Sequence, residues 1–95
     1  MANVTVKLFG VLRVDTQLPA SKISANTVED IFGILNTKVD EIFAEKIKEN
    51  PRLVHPDQLS FKDALVFING DRCSKKKTIL KDGDEIWLLS PASGG

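Results

Sequence analysis

The main helical stretch of this chain runs from Thr27 to Asn50, and it limits the architectures open to the rest. Val28, Ile31, Phe32, Leu35 and Val39, followed by Ile42, Phe43 and Ile47, recur at the spacing of one helix face. Thr27 supplies a hydroxyl at the N-cap position with the Asp30 carboxylate three residues on, and Glu29 and Asp30 in the first turn suit the helix dipole. Asn50-Pro51 ends the stretch, because the residue before proline is pushed out of the helical region. Asn36 and Thr37, close to Asp40, leave one helix or two as alternatives. A single apolar stripe has to be buried against something, and the remaining segments read as strands. The expected architecture is therefore α+β, a mixed sheet of about five strands with the helical region packed on one face.

The strands are read from alternation and from turn residues. Val4, Val6 and Leu8 alternate with Thr5, Lys7 and Phe9, the period of a half-buried strand, which leaves Phe9 on the opposite face. Gly10 to Thr16 reads as a connection and Gln17 to Ser24 as a second strand, placed at a sheet edge because Pro19 cannot donate to a ladder. These two strands are expected to form a hairpin. Leu53 to Lys62 contains Pro56 and no clean period, so it reads as an irregular loop. Ala64 to Ile68 is a continuous apolar run ended by Asn69-Gly70, a turn signal, and is expected to be a central strand. Arg72 to Ser74 can pair back on it, and Asp82-Gly83-Asp84 turns the chain into a last strand, Glu85 to Leu89.

With 95 residues the chain is expected to be one domain, residues 1–90, followed by a flexible tail, 91–95. Thirteen basic and thirteen acidic side chains cancel, so the electrostatic footprint of a nucleic-acid binder is missing. The start of the sequence, MANVTVKLFG, has no basic region followed by an apolar run, and no apolar stretch approaches the roughly 18 residues of a membrane span. The one cysteine, Cys73, allows no internal disulfide. A cytoplasmic location without a membrane partner is the expectation.

Few residues of the interior suggest chemistry. His55 is the only histidine and sits in a proline-flanked loop, which reads as a surface residue. Cys73 has no histidine near it in sequence and reads as a small buried hydrophobe. Lys75-Lys76-Lys77 reads as a solvated face, with partner binding the sharper reading. Asp82 and Asp84 flank a glycine in a turn, where local hydrogen bonding accounts for them better than acid-base work. Phosphate loops, nucleophile elbows and metal-ligand spacings do not occur.

The end of the sequence, SPASGG, is different. Glycine loses more conformational freedom on ordering than any other residue, so Gly94-Gly95 is a poor way to stabilise a fold. It is a thin way to present a carboxylate. The bland reading is a tail without function, but this one follows directly from an expected core strand, with Pro91 limiting how it folds back. The last five residues reach at most about 17 Å from that base, and glycine lets backbone approach backbone closely inside a narrow pocket.

Val4 to Phe9, Thr27 to Ile31, Val66 to Gly70, LKDGDE at Leu80 to Glu85, and the terminal PASGG together resemble the MoaD/ThiS-type ubiquitin-like sulfur carriers, most of all the MoaD-type small subunit of molybdopterin synthase. The resemblance spans nearly the whole chain, and the run from LKDGDE through an apolar strand to Gly-Gly is its most specific part. It implies a β-grasp fold with the first and last strands parallel at the centre of the sheet. It implies that Gly95 is adenylated by a MoeB-type activating enzyme, which uses ATP in trans, and is then converted to a thiocarboxylate. Gly94 gives clearance in the partner's pocket. The resemblance further implies that the chain itself binds no cofactor and no metal, and that it acts as the sulfur-donor subunit beside a MoaE-type large subunit. Phe9, Arg13, Leu89 and Pro91 match positions where the family meets these partners. The long Leu53 to Lys62 segment, and Cys73 with Lys75 to Lys77, depart from the family pattern.

Two other roles share the same end. A thiamine-type sulfur carrier has the fold and the Gly-Gly terminus but is usually shorter between the helix and the third strand. A protein modifier would spend the same adenylate on an isopeptide bond to lysine. A binding module with an inert tail is the bland alternative.

Overall fold

The computed structural model describes residues 1–56 and 58–90. Alternating burial builds the sheet from β1 (Ala2–Leu8), β2 (Ser21–Ala25), β3 (Leu65–Ile68), β4 (Asp71–Cys73) and β5 (Glu85–Leu89), in the spatial order β2-β1-β5-β3-β4. β1 and β5 run parallel, with Val6 opposite Ile86 and Leu8 opposite Leu88, while the other neighbours are antiparallel. The first and last strands therefore lie side by side in the interior of the sheet, as a β-grasp requires.

The helical stretch forms one helix, α2 (Val28–Glu49), of 22 residues. It starts on a complete capping box: the Asp30 amide donates to Thr27 Oγ1, and the Asp30 carboxylate accepts from the Thr27 amide. Asn36 does not break it, because its side chain is used elsewhere. Its Nδ2 donates to the Leu59 carbonyl at 2.9 Å and its Oδ1 accepts from the Leu59 amide at 2.7 Å, which fastens the following loop to the helix. Thr37 Oγ1 donates to the Gly33 carbonyl one turn back, so its hydroxyl is satisfied within the helix. Val28, Ile31, Phe32, Leu35, Val39 and Phe43 are buried and pack with Val4, Val6, Leu8, Val66, Ile86 and Leu88 of the sheet in one core. Each fully buried aliphatic or aromatic side chain there contributes about 1.5 to 3 kcal/mol before entropy is subtracted.

Three expectations need correction. Gly10 to Thr16 is not a plain connection: α1 (Val11–Thr16) is a helix of 6 residues, entered at Gly10 with φ 61 and closed by Gln17 in the left-handed region. A helix of this length is too short to display a period, so the sequence pattern misses it. The second strand starts later, at Ser21 rather than Gln17, and it pairs with β1 through a connection that contains α1, so the two strands are antiparallel neighbours without a tight hairpin. The apolar run of Ala64 to Ile68 is internal but not central: β3 lies between β5 and β4, and β5 is the middle strand. The turn residues behave as read. Asn69 and Gly70 both have positive φ, as a tight hairpin between β3 and β4 needs, and Gly83 takes φ 87 in the turn before β5. The loop from Leu53 closes on a short 3-10 turn, Phe61–Asp63.

Candidate docking face and the root of the tail

α2 covers one side of the sheet, and alternation along β5 decides what the other side presents. Ile86 and Leu88 point into the core with no exposed surface, so Glu85, Trp87 and Leu89 point outward. Register then assembles a surface from three strands. Trp87 stands opposite Lys7 on β1 and Phe67 on β3, and Leu89 stands opposite Leu65. Phe9 follows β1, donating its backbone amide to the Leu88 carbonyl at 3.0 Å, and its ring meets Trp87 edge to face at 5.7 Å between centroids. Such a pair contributes about 0.5 to 1.5 kcal/mol beyond its buried area. Phe9 and Trp87 remain 39% and 37% exposed, high for large apolar rings in contact with each other.

A polar clasp fixes the tryptophan. Glu85 Oε1 accepts from Trp87 Nε1 at 2.7 Å and from Lys7 Nζ at 2.9 Å. The Trp87 hydrogen bond first, and the Lys7 hydrogen bond and charge after it, hold the Glu85 carboxyl below its ordinary pKa. The indole N–H is thereby satisfied on a side chain that stays partly exposed.

Of the residues singled out from sequence, Phe9 and Leu89 come together on this surface, with Leu89 half-buried at the last position of β5. Arg13 lies exposed on α1, whose first turn begins two residues beyond Phe9. Pro91, Gly94 and Gly95, with the expected flexibility of the tail, lie outside the described residues. Trp87, Phe67 and Leu65 were not among the candidates. The alternation in Glu85-Ile86-Trp87-Leu88-Leu89 carried the signal for Trp87, since an inward Ile86 and Leu88 force it outward.

The remaining candidates have structural occupations. Cys73 is buried on β4, its thiol directed at the Lys75 carbonyl and Thr78 Oγ1. His55 is exposed and bridges its loop to α2, with Nε2 2.8 Å from Asp40 Oδ1 and its ring against Phe43. Lys77 and Lys76 converge on Glu29 at 3.0 and 3.4 Å, and these contacts, the Lys77 hydrogen bond foremost, lower the Glu29 pKa. Asp84 accepts from the Lys81 amide and from Asn69 Nδ2, which is turn chemistry. Among the described residues no cluster of histidine, cysteine and acids could hold a metal ion, and no helix is long and apolar enough to cross a membrane.

No curated protein is significantly similar in sequence. Solved structures are similar over the full length. The small archaeal modifier protein 1 of Methanosarcina acetivorans is 31% identical, with all of this chain and 98% of that one covered and a TM-score of 0.70. Subunits 1 and 2 of the molybdopterin-converting factor of Helicobacter pylori form a complex that contains a chain 28% identical, covering 98% of this chain and 99% of that one at a TM-score of 0.59. The molybdopterin converting factor subunit 1 described from Pyrococcus furiosus shares the fold at 22% identity, 97% and 100% coverage and a TM-score of 0.64. The fold is thus the ubiquitin-like β-grasp, and with residues 6–95 matched by its family model, the chain belongs to the ThiS family.

Proposed function

We propose that this chain is a sulfur carrier that serves as the small subunit of a molybdopterin synthase, with Gly95 as its reactive residue. The observation that carries the reading is the apolar surface of Phe9, Trp87 and Leu89 at the very end of β5. The segment ending in Gly94-Gly95 follows β5 in sequence, so a protein docked on the patch sits beside the strand from which that segment departs. Similarity to a chain of the Helicobacter pylori complex supports a large-subunit partner.

The chemistry at Gly95 follows from what a carboxylate lacks. It has no leaving group, so the activating enzyme first lets a carboxylate oxygen attack the α-phosphorus of ATP, releasing pyrophosphate and leaving an acyl adenylate. Hydrosulfide or its equivalent then attacks the carbonyl carbon, AMP departs with the oxygen, and a proton is lost to give the thiocarboxylate. One hard substitution becomes two easier ones. This chain contributes position and access: the sheet supplies a rigid base, the aromatic patch orients the partner, and the absence of side chains at Gly94 and Gly95 clears the pocket.

Intact-protein mass spectrometry after incubation with the activating enzyme, ATP and a sulfur donor tests this. The expected product has one oxygen exchanged for one sulfur, mapped to the peptide ending in Gly95. Deleting Gly95 should leave stability within about 0.5 kcal/mol, as changes at chain ends do, and abolish sulfur transfer to the pterin precursor. A deleted protein that still supports transfer overturns the reading.

A second reading is favoured by one observation, the 31% identity and 0.70 TM-score to an archaeal modifier protein. There the adenylate would acylate a lysine amine and release AMP. Lysine-linked adducts through Gly95, without transfer of sulfur to a pterin, would establish it.

A further inference from the structure

The open face of the sheet has a charge pattern that its apolar centre conceals. One row crosses it from edge to interior: Arg72 opposite Phe67, Phe67 opposite Trp87, Trp87 opposite Lys7. The neighbouring row holds Lys22 opposite Thr5 and Thr5 opposite Glu85. Among the described residues of the five strands, the outward side chains therefore include the cations Lys7, Lys22 and Arg72 and a single acid, Glu85. That acid is already occupied by Lys7 and the Trp87 indole. The acids nearest in the chain are no help, because Asp82 accepts from the Asn3 amide, Asp84 from the Lys81 amide, and Asp71 alternates to the other side with Cys73. Arg72 and Lys22 are both exposed, and among the described residues neither has an ion-pair partner.

Cations without acidic partners on one face orient an approaching partner before contact, and the effect falls off within a Debye length of about 8 Å at physiological salt.

We infer that the protein docked on the open face presents carboxylates at the border of an apolar surface, one of them opposite Arg72 and another towards Lys22. This rests on the reading of that face as the docking surface. Arg72 is the stronger anchor: its guanidinium offers a planar fork that a carboxylate can accept from twice, and it closes the end of the aromatic row. The apolar centre sets how tightly the partner holds, and the two cations set which partner arrives and in what orientation.

The test is the association rate of the full chain with the molybdopterin synthase large subunit of the same genome, followed by fluorescence of Trp87, the chain's one tryptophan. Arg72→Glu should slow association about tenfold at low ionic strength, with the difference closing as salt is raised. Arg72→Gln should fall between, and Lys22→Glu should act in the same direction more weakly. Arg72→Gln also keeps the test valid should the charge reversal disturb the short β4. Arg72 variants that associate as fast as the native chain at every salt concentration, or faster, overturn the acidic complement alone, provided Leu89→Asp still weakens binding. Unchanged binding of Leu89→Asp, or no binding of the native chain to the large subunit, removes the docking reading and this inference together.

Discussion

Ile86 and Trp87 are adjacent in one strand and have opposite uses. Ile86, with Leu88, faces α2 and has no exposed surface, while Trp87, with Leu89, faces outward beside Phe9. Both faces of β5 are apolar, so hydrophobicity does not distinguish them. What differs is the partner each residue has in the folded chain. The inward residues have one, the helix. The outward ones have Phe9, their cross-strand neighbours Phe67 and Leu65 and the Glu85 clasp, and they stay partly exposed, which is the ground for proposing a docking surface there. If the outward face docks a partner as proposed, alternation separates stability from recognition at single-residue resolution, and substitutions along β5 should separate them as well.

The sharpest contrast should come from Leu88→Ala, which empties a fully buried site. Such truncations cost about 2 to 5 kcal/mol, enough to consume much of the stability of a domain this size, and urea denaturation will measure it. One residue on, Leu89→Asp should cost less stability than Leu88→Ala, because Leu89 is half-buried rather than sealed in the core, yet weaken docking by about tenfold or more, because a carboxylate would be buried unpaired at the contact. A Leu89→Asp chain that unfolds would place Leu89 with the core and erase the contrast. Trp87→Ala should remove the edge-to-face pair, about 0.5 to 1.5 kcal/mol, and cost more in docking than in stability. The smallest effect is that of pH. Glu85 has a depressed pKa in the folded chain, so its contribution is fully present above the unfolded value and is lost as pH falls through the folded one. Tryptophan emission should shift in that acid window as the clasp opens, and Glu85→Gln should flatten the transition.

The architecture was legible wherever a period had room to repeat. α2 and β5 are long enough to show 3.6 and 2, and the capping box at Thr27 and the turns at Asn69-Gly70 and Asp82-Gly83 mark boundaries by local chemistry. α1 was not legible, since six residues carry less than two turns. Nor was the continuity of α2 across Asn36. That residue reads as a breaker until Leu59, far along the chain, supplies both of its hydrogen bonds. At the candidate site, Phe9 and Leu89 were found through family resemblance, while Trp87 could be found only by following alternation to its outward consequence. The charge row from Arg72 to Lys7 was illegible for a different reason: it exists only after registers on three strand pairs are fixed.

The parallel pairing of β1 with β5 joins segments separated by most of the chain. Loop closure on that scale is slow, and no local turn can bring the two strands together. The edge of β1 that faces away from β2 has no partner but β5. A fragment without β5 therefore cannot form the native sheet, because β1 and β3 lose the neighbour they share and the row of Glu85, Trp87 and Leu89 is gone. Strand order thus makes the proposed docking surface a property of the whole sheet: neither the β1–β2 pair nor the β3–β4 pair can present it alone.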